Sequence, residues 1–368
     1  MLLEKLFRGL DRRQSENLGI DGEGGYFLLC CILYLKGYTF IKRKDLTTLN
    51  NSLINSIEHT NPLTLNYIDG LAGIYAIYGY LSSKEELSFL QFPDFDDVID
   101  TLGEELLYLA NRNIWDNLYG AGGMLAAFSV GSVNTELLES VLIQLNERIK
   151  KHEVNDLIIN PFIGKHTVDF GIAHGYAGLG NILINLLEKG VFTDLINNIL
   201  VDFLKLFEDQ QLNLTDESAN VFPIKYDMET RSYDYSAISG WCYGDLGIVN
   251  FVLKCSTLTD LNLIYPNLKN AIQSIAERPL VEDQKNIFLC HGLSSKFLIR
   301  QAVKHVNFNM NTISLGQSYS ISVENFLSSN NSAELKQKSL LNGGAGVCLT
   351  LAMIEREPHN DFLNLFFL

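Results

Sequence analysis

A short glycine pattern recurs along the 368 residues of this chain. The pattern is G-x-x-G, entered from a polar or aromatic segment and followed by an apolar run. Its seven copies begin at Gly22, Gly70, Gly120, Gly175, Gly244, Gly292 and Gly343, and Ser295 replaces the second glycine of the sixth. Successive first glycines are 48 to 69 residues apart. A period near 50 residues predicts a repeat architecture, which a chain of this length can build without dividing into unrelated domains.

Each unit predicts two helices of different character. The run after the glycines is apolar on nearly all sides, as expected for a buried helix. The segment before the glycines is amphipathic, and in residues 134–153 one helical stripe holds Leu138, Val141, Leu142, Leu145 and Ile149. Comparable amphipathic segments start near Asp94, Thr193 and Leu261. We therefore predict that every unit contributes an inner and an outer helix.

The lack of polar capping repeats at either end predicts that the array closes into a ring. An open array of helical hairpins needs polar capping repeats, and neither end of this chain resembles one. The sequence predicts an all-α fold, an α/α toroid of seven helical hairpins with the inner N-termini gathered at one end of the axis. An open α-solenoid is the alternative. With seven prolines and no low-complexity linker, we expect residues 1–368 to form a single domain.

One interval departs from the regular spacing. Gly175 and Gly244 are 69 residues apart, and the excess falls in residues 207–239, which are polar and poorly periodic. We predict a loop that covers the mouth of the ring at the inner N-termini, because long loops of this kind often carry function.

Charge and hydropathy exclude several classes of partner. The chain carries 28 basic and 43 acidic residues, a formal charge of −15, which disfavours nucleic acid. The longest apolar run, from Tyr26 to Leu35, is far shorter than the ~20 residues that cross a bilayer, so no integral membrane segment is expected. The first residues mix charges with apolar positions and lack a signal-peptide pattern, which predicts a cytoplasmic protein.

Two cysteines share one register in consecutive units. Cys242 and Cys290 each lie two residues before the first glycine, and His291 follows Cys290 directly. In superposable repeats equal register means equal height, so these side chains should face each other at the mouth. Two thiolates and one imidazole are typical of a catalytic zinc site with an open fourth position. The competing interpretation is a pair of ordinary buried cysteines, as we expect for Cys30, Cys31, Cys255 and Cys348 inside the apolar runs.

Three further side chains are expected at the same mouth. His174 occupies the position of His291 in the unit before that of Cys242, and its near-neutral pKa suits proton transfer. Asp116, four residues before Gly120, reads equally well as a site carboxylate or as a helix cap. Tyr243 is a hydrogen-bond donor in one interpretation and a packing residue in the other.

The motifs W-C-Y-G, C-H-G and A-H-G-Y-A-G, together with the repeated G-x-x-G, resemble the lanthionine synthetase cyclases, the LanC-like family. The resemblance implies an α/α toroid with one catalytic Zn²⁺ held by Cys242, Cys290 and His291. It also implies an acid/base role for His174 and a site carboxylate at Asp116. Family members often have an arginine four residues before the first of these cysteines, where this chain has Ile238; Arg231 is a candidate replacement.

The resemblance implies a stand-alone cyclase of the class I type. Such an enzyme adds cysteine thiols to dehydroalanine or dehydrobutyrine in a dehydrated precursor peptide, forming lanthionine and methyllanthionine thioether rings. Its expected partners are a lanthipeptide dehydratase and an exporter, with membrane association through that complex. The alternatives are a non-catalytic zinc scaffold that binds the dehydratase or peptide, and a glycosidase-like or prenyl-transferring toroid. Only Asp69 and Asp116 offer the carboxylates that a glycosidase needs.

Overall fold

A computed structural model describes most of the chain. The described residues are 2–11, 17–59, 64–132, 135–150, 167–210, 212–216, 218–236, 240–258, 265–277, 286–303, 312–328, 332–356 and 360–368. Ile238 and the helix start expected near Leu261 lie outside these ranges. In the described part, no helix combines the length and apolar character that a membrane crossing requires.

The described elements are predominantly helical. In chain order the α-helices are α1 (Leu2–Gly9), α2 (Glu23–Leu35), α3 (Arg43–His59), α4 (Leu71–Ser82), α5 (Asp96–Asn111), α6 (Ala121–Val130), α7 (Thr135–Ile149), α8 (Tyr176–Glu188), α9 (Thr193–Glu208), α10 (Asp245–Leu258), α11 (Pro266–Glu277), α12 (Leu293–Val303), α13 (Thr312–Ser328), α14 (Ser332–Leu335) and α15 (Gly344–Glu355). Short 3₁₀ helices span Glu85–Leu87 and Asn360–Phe366. The predicted stripe of α7 is buried from Leu138 to Ile149.

The helices that follow the glycine pattern form a closed inner ring. Helices α2, α4, α6, α8, α10, α12 and α15 each pack against the next, and α15 packs against α2. The outer layer includes α3 on α2, α9 on α8, α11 on α10 and α13 on α12. Helix α1 packs on α15 and so covers the last unit. The predicted α/α toroid is confirmed.

In five of the seven units, the second glycine of the pattern lets the inner helix start close against its entry turn, the residues that directly precede the first glycine. A Cβ on Gly178 would lie 1.8 Å from the carbonyl oxygen of Ile172, and one on Gly25 would lie 1.8 Å from that of Ile20. No side chain fits at such a distance. The glycine is therefore required by close approach of the backbone.

Hydrogen bonds join the entry turns of neighbouring units. The Trp241 amide donates to the Cys290 carbonyl at 2.9 Å, and the Cys290 amide donates to the Leu341 carbonyl at 2.9 Å. The ring closes where the Leu341 amide donates to Oδ1 of Asp21 at 2.8 Å. The other links join Leu18 to Asp69, Tyr67 to Leu118, Asn117 to Ile172, and Ala173 to Cys242. This circle of bonds fixes the height and spacing of the residues at the mouth.

A small sheet stands where the sequence predicts only a loop. Strands β1 (Thr167–Asp169), β2 (Lys225–Asp227) and β3 (Ser232–Asp234) pair antiparallel in the order β1-β2-β3. Strands β2 and β3 lie within residues 207–239, for which the sequence predicts a loop, and β1 lies before that range. Strands of three residues are too short to show a period of two in the sequence. The Asp245 carboxylate, at the start of α10, accepts the amides of Val221 and Phe222 and holds this segment at the mouth end.

Residues 360–368 fill the interior of the ring. Phe362, Leu363, Leu365, Phe366, Phe367 and Leu368 are all buried, and Tyr67, Asn181 and Trp241 donate hydrogen bonds to the backbone of this segment. We call residues 360–368 the tail. The tail therefore packs against inner-ring residues of three different units.

Candidate metal centre

Cys242 and Cys290 lie at the mouth on adjacent entry turns. Their Sγ atoms are 2.6 Å apart and both are free thiols. The side chains are 4% and 6% exposed, although they lie outside the helical core of α10 and α12. Their backbones are also joined, because the Cys242 amide approaches the Cys290 carbonyl at 3.4 Å. Equal register in consecutive units therefore does bring the two thiols face to face.

His291 completes a group of three donor atoms. Its Nε2 is 3.8 Å from Sγ of Cys290, and the three donor atoms of Cys242, Cys290 and His291 all lie within 4.8 Å of one another. One Zn²⁺ bonded at about 2.0 to 2.3 Å needs ligand atoms within roughly twice that distance. The His291 side chain is exposed, so the group opens toward solvent on one side. The donor set and its spacing fit a zinc ion with an open position.

The pKa values of the two thiols are shifted in opposite directions. The hydrogen bond from Cys242 lowers the pKa of Cys290 and burial raises it; with the lowering effects of His291 and His174, the net pKa of Cys290 is about 6. The same hydrogen bond, with burial, raises the pKa of Cys242 well above its ordinary value. Cys290 therefore carries the first thiolate of the group, and a cation is needed before both sulfurs can ionise.

His174 is held by Asp116 at the same mouth. Nδ1 of His174 is 2.7 Å from Oδ2 of Asp116, whose side chain is fully buried. Oδ1 of Asp116 accepts the amides of Leu118 and Tyr119, each at 2.8 Å. The carboxylate is therefore both the cap of its turn and the partner of His174. The sequence left open whether Asp116 is a helix cap or a site carboxylate. In the structure Oδ1 accepts the backbone amides and Oδ2 contacts His174, so the residue has both contacts. Since the carboxylate accepts at Nδ1, the other ring nitrogen, Nε2, is left to exchange a proton.

The charges around His174 favour its protonated form. Burial alone lowers the pKa of His174, but the hydrogen bond and charge of Asp116 outweigh it, and Asp169 and Cys290 act in the same direction. The net effect is a pKa above the usual value of 6.5. The protonated imidazole is consequently more stable here than in a free histidine.

Tyr243 lies between the two groups. Its ring centroid is 5.9 Å from that of His174, and the neighbouring Cys242 supplies one thiol of the candidate metal-binding group. Burial, with the charges of Asp169, Cys242 and Asp116, raises the pKa of Tyr243, so its hydroxyl remains a hydrogen-bond donor. Asp169 was missed by sequence reasoning. It is 1% exposed at the end of β1, and the only sequence signal was a carboxylate five residues before His174.

The remaining sequence candidates lie elsewhere. Cys30, Cys31, Cys255 and Cys348 are buried within the inner helices, as expected for core residues. Arg231 is exposed in the turn between β2 and β3, with a left-handed φ of 53°. Lys225 on β2 forms a 3.6 Å ion pair with Asp234. Among the contacts of the described residues, none joins Arg231 or Lys225, the two cations of residues 207–239, to Cys242, Cys290 or His291.

Comparison with known proteins agrees with the fold and the motifs. A family model described as "Lanthionine synthetase C-like protein" matches residues 21–367. The solved structure of nisin cyclase is similar over 99% of this chain and 96% of its own, with a TM-score of 0.74 and 18% sequence identity, a likeness of fold. No curated protein sequence shows detectable similarity. Because the family model spans nearly the whole chain, this protein belongs to the lanthionine synthetase C-like family.

Proposed function

We propose that this protein is a zinc-dependent cyclase that forms lanthionine and methyllanthionine rings in a dehydrated precursor peptide. The observation that carries the proposal is the presence of two side-chain groups at one mouth. One is the donor set of Cys242, Cys290 and His291, and the other is the His174–Asp116 pair. Ring formation needs a thiolate and a proton donor, which is what these two groups can provide. Family membership supports the same activity.

Cys242, Cys290 and His291 would hold the Zn²⁺. Bound there, the ion would lower the pKa of a peptide thiol, ordinarily ~8.5, and thereby supply a nucleophile at neutral pH. The exposed edge at His291 leaves room for that thiol to enter. The two thiols are themselves almost fully buried.

His174 would supply the proton that the addition requires. The peptide sulfur bonds to Cβ of the dehydroamino acid, the C=C electron pair moves to Cα as an enolate, and a proton must then reach Cα. Protonated His174 can donate it from Nε2 while Asp116 holds the ring by Nδ1. The Tyr243 hydroxyl, beside His174, can donate a hydrogen bond to the enolate oxygen as charge develops.

A glycosidase-like activity has less support in this geometry. Both oxygens of Asp116 are committed, one to His174 and the other to backbone amides. Oδ1 of Asp69 accepts the side-chain amide of Asn17 at 3.1 Å.

The partners we propose are the dehydrated peptide and the dehydratase that delivers it, with an exporter as the next member of that complex.

The metal assignment is tested by zinc content. We expect one zinc per chain in the purified protein, and its loss from Cys242→Ala and from Cys290→Ala without loss of the helical fold, because the core of the toroid is built by its helices. The matched controls are Cys255→Ala and Cys348→Ala. They remove equally buried thiols that lie within the inner helices, after the glycine pattern. Full zinc occupancy in either of the first two variants would contradict the ligand assignment.

The activity is tested with a dehydrated peptide that contains free cysteines. Loss of free thiol without change of peptide mass reports thioether formation. His174→Asn should keep its zinc and lose about 10² or more in rate, because it removes proton transfer and leaves the metal ligands intact. A wild-type rate in this variant removes His174 from the mechanism. Stoichiometric zinc with no cyclisation by the unaltered chain would favour the scaffold function instead.

A further inference from the structure

The tail is held by side chains from three different units of the ring. The Tyr67 hydroxyl donates to the Leu365 carbonyl at 2.9 Å, and the Asn181 amide donates to the Phe367 carbonyl at 2.9 Å. The third donor is the Trp241 indole, whose Nε1 is 2.8 Å from the Phe366 carbonyl. Two of these donors, Tyr67 and Trp241, lie in entry turns and the third, Asn181, lies in the second turn of α8.

Aromatic packing reinforces the anchor. The Phe367 ring lies between Tyr67 and Trp241, with centroid distances of 5.1 Å and 6.2 Å, and it is stacked on the indole at 29°. Phe367 is fully buried and has a φ of 57°, a left-handed conformation that residues other than glycine adopt only when their surroundings impose it. The backbone bends here so that both the ring and the carbonyls reach their partners.

Trp241 connects the tail with the metal centre. It precedes Cys242 directly, and its backbone amide donates to the Cys290 carbonyl at 2.9 Å. One residue therefore contacts the tail through its indole and the second cysteine turn through its amide. A shift of the indole would move Cys242 relative to Cys290. Tyr67 occupies the same register in its own unit, three residues before the first glycine, but no metal-binding side chain follows it.

We infer that the tail is part of the framework of the metal centre and that Trp241 is its positioning residue. The tail fixes the indole from below, and the indole fixes the spacing of the two thiols that bind the metal. This inference rests on the proposed function, since it concerns the same zinc site. It assigns to residues 360–368 a role beyond filling the lumen.

The test compares two variants that each remove one tail hydrogen bond and keep an aromatic ring. Trp241→Phe removes the indole donor beside the cysteines, and Tyr67→Phe removes the equivalent hydroxyl donor of another unit. Zinc affinity is measured by competition with a chromophoric chelator, and the Co²⁺-substituted protein reports ligand geometry by its visible absorption. We expect Trp241→Phe to weaken zinc binding by about 10-fold, the lower end of the effect of supporting residues, and to alter the Co²⁺ spectrum. Tyr67→Phe should leave both unchanged.

A second pair of variants tests the tail itself. Phe367→Leu removes the ring stacked on Trp241, and Phe362→Leu removes an equally buried ring of the same segment that has no contact with Trp241 among the ring pairs of the described residues. Both variants should lower the melting temperature, but only Phe367→Leu should weaken zinc binding. Melting temperature alone cannot separate the two roles, which is why the metal readouts decide.

Two results would overturn the inference, and they are distinguishable from failure of the proposed function. If Trp241→Phe binds zinc as tightly as the unaltered chain, or if both members of each pair weaken it equally, the tail acts only as filling. If the unaltered chain binds no zinc, the proposed function fails first and this inference fails with it.

Discussion

Among single residues, the proposed proton donor, His174, depends on a carboxylate whose two oxygens both accept hydrogen bonds. Asp116 binds two backbone amides with one oxygen and His174 with the other, so the imidazole has little freedom to rotate. Its charge raises the pKa of His174 against the effect of burial. A single buried group therefore sets both the orientation and the protonation state of the histidine.

We expect Asp116→Asn to lower the pKa of His174 and the rate of cyclisation. The amide can still accept at Nδ1 but carries no charge, so the stabilisation of the imidazolium is lost. His174 acts as an acid below its pKa, and activity falls as the pH rises through that value; in the variant this fall should occur at lower pH. The rate at pH 7 should drop by about 10-fold to 10²-fold.

The titration of His174 followed by NMR measures this shift without reference to activity. Asp169→Asn is the comparison variant, because the charge of Asp169 raises the pKa of His174 less than the hydrogen bond and charge of Asp116 do, and its shift should be smaller. An unchanged titration in Asp116→Asn would show that the carboxylate only orients the ring.

For the helix and its entry turn, the glycine pattern is a packing requirement. The second glycine faces the carbonyl oxygen of a residue five or six positions earlier. A Cβ added to Gly25, Gly73, Gly123, Gly178 or Gly346 would lie 1.8 Å to 2.8 Å from that oxygen. The sequence itself indicates that glycine is required at these positions, because the glycines recur where the apolar runs begin.

Gly178→Ala should destabilise the protein by about 1 to 3 kcal/mol, the usual cost of forcing atoms into a packed interior. Its Cβ would meet the Ile172 carbonyl and the Nδ2 of Asn117, which carries the link to the third unit. Chemical denaturation measures the change. Gly9→Ala, with nothing within 4 Å of the new atom, is the matched control and should be close to neutral. Equal stability of the two variants would contradict the packing argument.

In the molecule as a whole, a half-buried carboxylate closes the ring. Asp21 in the first unit accepts the Leu341 amide at 2.8 Å and the Ser339 hydroxyl at 2.7 Å from the last unit. Burial raises its pKa from 3.8 to about 6, although these hydrogen bonds lower it in part. The folded chain thus binds this proton more tightly than the unfolded chain does.

The sign of the pH dependence follows from that shift. A raised pKa contributes stability that is complete below pH 3.8 and is lost as the pH rises through about 6. The loss is roughly 3 kcal/mol above pH 6. Asp21→Asn keeps the acceptor oxygen and removes the charge, so the variant should gain stability relative to the unaltered chain as the pH rises from about 4 to about 7.5. Urea unfolding at the two pH values checks this; a variant that is less stable at both by the same amount would contradict it.

The repeat, the ring and the residues that meet at its mouth could all be predicted from the sequence. The G-x-x-G period, the apolar inner runs and the stripe of α7 are local patterns, and the equal register of Cys242 and Cys290 needed only the assumption that repeats superpose. The family was indicated by the same motifs and is confirmed. The zinc ion, the chemistry and the single-domain organisation remain predictions.

How those residues are held became visible only in the folded chain. The pairing of His174 with Asp116, the charge of Asp169, the sheet of β1, β2 and β3, and the tail inside the lumen all join segments that are distant in the chain. A periodic pattern reports which face of a helix is buried, but it does not report which distant group fills the space opposite. Trp241 shows the difference, because the sequence marks it only as the neighbour of a cysteine, and its partner lies 125 residues away.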